Sequence, residues 1–144
     1  MESPFDAFRN FINTMDSVVQ ESAKAHGVEQ LAGPQGYTVA YLLDHQDEEI
    51  FIKDIETHLN ISKSVASNLI KRMEKNQFIQ VLPSQTDKRF KQVVLTDLGR
   101  DKAKDIKAFH QTLQRRILKG LTQEELEVSK RVFNRIKENL EIKE

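Results

Sequence analysis

The stretch "SQTDKRFK", residues 84–91, lies between "FIQVL" (78–82) and "QVVLT" (92–96), two runs rich in the β-branched and aromatic residues that strands prefer. Ile79 and Val81 alternate with polar residues on one side, and Val93 and Leu95 do so on the other. That spacing predicts a hairpin with one buried face. Its polar tip carries Lys88, Arg89 and Lys91. Hairpin tips are often polar simply because water covers them, so the meaning of these cations depends on what precedes them.

A pair of short helical patterns precedes them. Ile55 and Leu59 mark the first, "NIS" (60–62) breaks it, and Val65, Leu69, Ile70 and Met73 mark the second. Two short helices joined by a turn of three or four residues predict a helix-turn-helix. Ser62 is placed to cap the second helix, which leaves Lys63, Ser64, Ser67, Asn68, Lys71 and Arg72 on faces the core does not need. A helix of this kind fits the major groove of duplex DNA, and a slim basic finger beside it reaches the minor groove. On that reading the hairpin is a wing.

The charge distribution agrees. Twenty-two basic and 22 acidic residues cancel over the 144-residue chain, so overall charge points to no polyanionic partner. Locally they do not cancel. Ser62 to Lys91 holds seven basic residues against two acidic ones, an excess of +5, and Asp44 to Asn60 holds six acids against one base, an excess of −5. A basic helix next to a basic hairpin is the electrostatic footprint of a duplex binder.

The flanking segments read as helices. Ser3, Pro4 and Asp6 suit the start of a long amphipathic helix through Phe5, Phe8, Phe11, Ile12, Met15, Val18 and Val19, ending near Gly27. "AGPQG" starts another through Tyr37, Ala40, Tyr41 and Leu43, ending in the acidic loop "DHQDEE" (44–49). The short "IFI" (50–52) is ambiguous, and a lone strand there could pair with the hairpin. Leu98, Ile106, Phe109, Leu113 and Ile117 keep a helical stripe to Gly120. A Thr122 and Glu125 capping box opens a last helix through Leu126, Val132, Phe133, Ile136 and Leu140. The wide apolar stripes of the first and last two helices suit either packing on their own domain or burial across a two-fold dimer. A dimer would set two recognition helices about 34 Å apart.

Other functions find little support. The absence of cysteine removes disulfides and thiolate metal sites and suits a reducing, cytoplasmic setting. The N-terminus is acidic and phenylalanine-rich, unlike a signal peptide, and no run approaches the length of a membrane span. His26, His45, His58 and His110 are scattered without helical His-x-x-His spacing, so no metal ligand set is assigned and surface or capping roles are expected. No nucleophile motif or phosphate-binding loop appears, which argues against an enzyme and assigns no cofactor.

Residues 52–100, "IKDIETHLNISKSVASNLIKRMEKNQFIQVLPSQTDKRFKQVVLTDLGR", resemble the winged helix-turn-helix core of the MarR family (multiple antibiotic resistance regulators). Asp87, Lys88 and Arg89, followed by "VVLT" and Gly99, carry the resemblance most specifically. It implies a mainly α fold with a small β-hairpin wing, a single domain over 1–144 with a DNA-binding lobe at about 32–96 and dimerisation helices at about 3–27 and 97–142. It also implies an obligate homodimer on a pseudo-palindromic operator, acting as a transcriptional repressor. Arg89 matches the wing arginine that meets the minor groove or backbone, Asp87 the aspartate that braces the wing, and Ser62 to Lys75 the recognition helix. In that helix Ser64, Ser67, Asn68 and Lys71 would face bases or phosphates, and Lys63 and Arg72 mainly phosphates; Lys88, Arg89 and Lys91 would act from the wing.

Family members usually carry glycine where Gln77 stands, so Asn76 is expected to take the left-handed turn. The family often binds small aromatic or lipophilic effectors in a crevice beside the DNA-binding lobe; Tyr37 and Tyr41 could line one, although tyrosines at helical spacing are more often core, and no ligand residue is assigned. A winged-helix adaptor for proteins and a metal-dependent regulator of the same fold are the competing readings.

Overall fold

The structure, a computed structural model, describes residue 1 and residues 3–142. Among these are six α-helices and one antiparallel hairpin: α1 (Pro4–Ala25), α2 (Pro34–Asp44), α3 (Ile52–Leu59), α4 (Lys63–Lys75), β1 (Ile79–Pro83), β2 (Lys91–Leu95), α5 (Asp97–Leu118) and α6 (Gln123–Glu141). The result is the expected winged helix-turn-helix. The chain divides into two compact units, one up to Gln111 and one from Thr112 onward.

Helix starts follow their local chemistry. Ser3 caps α1 by accepting the Asp6 N–H at 3.1 Å, with Pro4 in the first turn. The acidic run does break into turns after α2. Asp54 accepts the Phe51 N–H at 2.8 Å and so caps α3. Asn60 ends that helix in the left-handed region at φ 54°, a conformation asparagine tolerates better than most residues. Ser62 caps α4 through the Val65 N–H, and Thr122 and Glu125 close both bonds of their box at the start of α6, at 3.1 and 2.9 Å.

The core of the first unit gathers Val39 and Leu42 of α2, Ile55 of α3, Leu69, Ile70 and Met73 of α4, Ile79, Val93 and Leu95 of the hairpin, and Ala103 and Ile106 of α5. Register pairs Ile79 with Leu95 and Val81 with Val93. Ile79, Val93 and Leu95 are buried and Val81 half-buried, as the alternation predicts.

Three readings change, and the ambiguous one is resolved. The buried face of α2 is Gly36, Thr38, Val39 and Leu42 rather than the tyrosine face, and Tyr37 is 49% exposed. Small residues let α2 pack closely: a Cβ on Gly36 would collide with the Leu31 carbonyl, and Thr38 satisfies its hydroxyl on Pro34 O at 2.7 Å. Val65 is 50% exposed, and Ala66 takes its place in the core. Of "IFI", Phe51 makes one β-bridge to Gln92, while Ile52 already opens α3. Finally, Asn76 is right-handed at φ −77° and Gln77 itself takes the left-handed turn at φ 64°. Arg72 and Glu74 carbonyls accept the Asn76 and Gln77 N–H groups there, and Thr96 Oγ1 donates to Gln77 O at 2.6 Å, which holds the strained residue in place.

A side chain at φ 64° costs more than glycine would there. Gln77→Gly should therefore raise unfolding free energy by about 0.5–1 kcal/mol in urea denaturation, and unchanged or lower stability would contradict the assigned turn.

Candidate nucleic-acid interface

The recognition helix keeps Ala66, Leu69, Ile70 and Met73 inside and turns Ser62, Lys63, Ser64, Asn68, Lys71 and Arg72 outward, with Ser67 half-buried. Arg72 lies in the last turn of α4, where a cation also suits the helix dipole. Ser62 Oγ is engaged by its cap and lies 3.3 Å from Ser64 Oγ. Lys88, Arg89 and Lys91 are exposed on the wing.

The two elements meet in an open cleft of about 490 Å³. Lys63 and Ser67 from α4 line it together with Arg89, Phe90 and Lys91 from the wing. Four of the ten expected contact residues thus share one concavity; Ser62, Ser64, Asn68, Lys71, Arg72 and Lys88 lie outside its lining. Two features escaped the reading of spacing alone. Lys53 of α3 adds a cation to the same cleft, and Glu56 of α3 an acid, which leaves basic residues in excess there. Val65 offers an apolar surface on the exposed side of α4, the kind of group that contacts a thymine methyl; its helical spacing with Leu69 had disguised it as core.

The wing tip is built on ion pairing. Asp87 takes Arg89 in a bidentate grip, with Nε at 3.0 and 3.2 Å and Nη2 at 2.7 Å, and also accepts the Arg89 backbone N–H at 3.1 Å. The guanidinium, 83% exposed, stands 5.9 Å from the Phe90 ring centre. Its hydrogen bonds hold the Asp87 carboxyl below the ordinary range, and Asp87 in turn raises the Arg89 pKa. Asp87 thus fixes the Arg89 side chain and backbone within the wing loop.

Where the wing loop leaves β1, a second carboxylate is engaged in the same way. Glu49, from the acidic loop, accepts Ser84 Oγ at 2.7 Å, the Gln85 N–H at 2.6 Å and Thr86 Oγ1 at 3.0 Å. The Ser84 bond first, then those from Gln85 and Thr86, lower the Glu49 pKa. Acid-rich composition alone gave no sign of this role.

The histidines mostly take the expected parts. His26 and His45 end α1 and α2, each with Nδ1 at 2.8 Å from a carbonyl of the preceding turn, Ser22 and Tyr41 respectively. His58 stacks on Tyr41 with ring centres 4.2 Å apart. His110 departs from a surface role: it is half-buried against Tyr37, and burial lowers its pKa. Among the described residues no three His, Asp or Glu side chains converge as a metal site, and no helix is long and apolar enough to cross a membrane.

A helix-turn-helix followed by a basic wing defines the class: a winged helix-turn-helix protein. The model of the MarR family matches residues 29–89. A crystal structure of apo, heme-free PefR is 45% identical, covering 95% of this chain and 99% of that one at a TM-score of 0.85. The heme sensor protein PefR from Streptococcus agalactiae in complex with heme is 46% identical, covering 96% and 95%, at 0.76. The transcriptional repressor IacR of Pseudomonas putida is 27% identical over 105 residues, which is 73% of this chain but 62% of that repressor's length. The chain belongs to the MarR family of transcriptional regulators. The S. aureus MepR–DNA complex, 21% identical with 96% and 97% of the chains covered, shares the fold at a TM-score of 0.80.

Because the folded pKa values of Glu49 and Asp87 are depressed, the stabilisation their hydrogen bonds give the wing is complete above the unfolded carboxylate range of about 3.9–4.3. It is lost as pH falls through the depressed folded values. NMR titration of the two side-chain carboxyl carbons should place both midpoints below that range; a midpoint at or above it would show that the bonds do not persist in solution.

Proposed function

We propose that the chain works as a homodimeric, sequence-specific DNA-binding repressor without enzymatic activity, acting in the cytoplasm on a pseudo-palindromic promoter operator. The observation that carries this reading is the shared cleft of Lys63, Ser67, Arg89 and Lys91, where recognition helix and wing offer cations to one duplex. On this reading Ser64, Ser67, Asn68 and Lys71 meet bases or phosphates in the major groove, Ser62 presents the helix start, and Lys63 and Arg72 hold phosphates. Lys88, Arg89 and Lys91 work from the wing toward the minor groove. Bound there, the protein would block a promoter sterically.

Dimerisation is supported by apolar surface on the outer helices. Phe5, Phe11 and Ile12 of α1 and Val128, Val132, Ile136 and Leu140 of α6 are exposed, and no described residue of α6 is buried. Such stripes suit burial against a second copy. On this reading about 32–96 is the DNA-binding lobe, and about 3–27 and 97–142 are the dimerisation helices of a single MarR-like domain.

Selection from a random duplex pool should enrich a palindromic site, and an adaptor would enrich none. Against that site, Arg89→Ala should lose about 1–3 kcal/mol of affinity with the dimer intact; wild-type affinity would remove the wing role.

The effector is a small aromatic or lipophilic molecule, and heme is the specific proposal, supported by the 45–46% identity to PefR. Added heme should develop a protein-bound Soret band and release the selected duplex at stoichiometric concentration. A spectrum no different from free heme, with the duplex still bound, would exclude it.

A further inference from the structure

We propose that Glu49 is a positioning residue for DNA binding: it sets the angle from which the wing presents Arg89, without itself reaching the duplex. This rests on the DNA-binding reading above.

A carboxylate facing phosphate would weaken binding by repulsion. That of Glu49 is instead turned toward the start of the wing loop and covered by three donors, Ser84 Oγ, the Gln85 N–H and Thr86 Oγ1, at 2.6–3.0 Å. Ser84, only 2% exposed, is the hub. A hydroxyl has one proton and two lone pairs. With the proton given to Glu49, Ser84 Oγ is left to accept the Thr86 N–H at 3.2 Å and the Asp87 N–H at 3.1 Å. Asp87 then grips Arg89. A continuous relay therefore runs from Glu49 through Ser84 and Asp87 to the wing guanidinium.

The wing needs an external anchor because an isolated two-stranded hairpin is at best marginally stable in water. One anchor holds its middle, where Val93 N–H donates to Ile50 O at 2.7 Å beside the Phe51 bridge to Gln92. Glu49, the residue before Ile50, supplies the second anchor nearer the tip. Both come from the short segment between α2 and α3, so the wing is held by the same chain that leads into the helix-turn-helix.

The test measures affinity of the wild type, Glu49→Ala, Arg89→Ala and the double variant for the duplex enriched from the random pool. Glu49→Ala should bind about tenfold more weakly with dimer mass and thermal midpoint retained, and its amide exchange at Gln85 and Asp87 should quicken. In the Arg89→Ala background the further loss should shrink below about twofold, because coupled residues are not additive. Wild-type affinity for Glu49→Ala, unchanged exchange, or a loss that persists in full without Arg89 would overturn the proposal. Should Glu49→Ala fail to fold, Glu49→Gln keeps the shape without the charge and should lose about threefold; wild-type binding by that variant would overturn it equally. A wild-type protein that enriches no duplex would remove the DNA-binding reading itself, a result visible before any variant is compared.

Discussion

Gly99 lies so close to Phe78 that a Cβ there would collide with its carbonyl oxygen. Around that approach Thr96 Oγ1 donates to Gln77 O and accepts the Gly99 N–H at 2.9 Å, while the Thr96 N–H reaches Phe78 O at 3.1 Å. Gln77 and Phe78 end the recognition helix and lead into β1, and Thr96 to Gly99 lead from β2 into α5. The hairpin's two roots are therefore tied to each other and to the helices they join. Without that closure the wing would hang from α4 by a single strand. With it, helix, wing and the start of α5 share one frame, and the cations of the cleft keep fixed spacing.

The neutral total charge conceals how the acids are used. Asp54 caps α3, Asp44 pairs with Lys107 of α5, Glu49 holds the wing and Asp87 holds Arg89. Pairs this exposed contribute little stability, because water and salt screen them. Their value is geometric, because each ties together segments whose relative angle matters. On α4 itself Lys63, Lys71 and Arg72 remain exposed beside a single acid, Glu74. A chain of zero net charge can in this way present a cationic surface.

Much of the fold was legible because its signals are local. Ser3 with Asp6, Ser62 with Val65 and Thr122 with Glu125 each act within one helical turn, and the strand alternation of Ile79, Val93 and Leu95 follows from a two-residue period. Misreadings arose where local preference met packing. Val65 fitted an apolar stripe but lies past its edge, and the tyrosines of α2 outweighed Gly36 and Thr38 by size although the small residues are the ones that allow close approach. Asparagine has the better intrinsic tolerance of a left-handed turn, yet Gln77 takes it in place of Asn76. Bonds from Asn76, Gln77 and Thr96 decide this.

From the candidate site, the cations were visible as a local excess of charge and their order along the chain placed them on helix and wing. Element order, the helix N-caps, the buried face of the hairpin and that excess can be read from the chain alone, since all depend on residues within a few positions of one another. Folding in three dimensions is what brings Lys53 into the cleft and Glu49 to Ser84, 35 residues away. Those meetings depend on how the segment after α2 lies against the wing, a packing relation that no short-range spacing encodes.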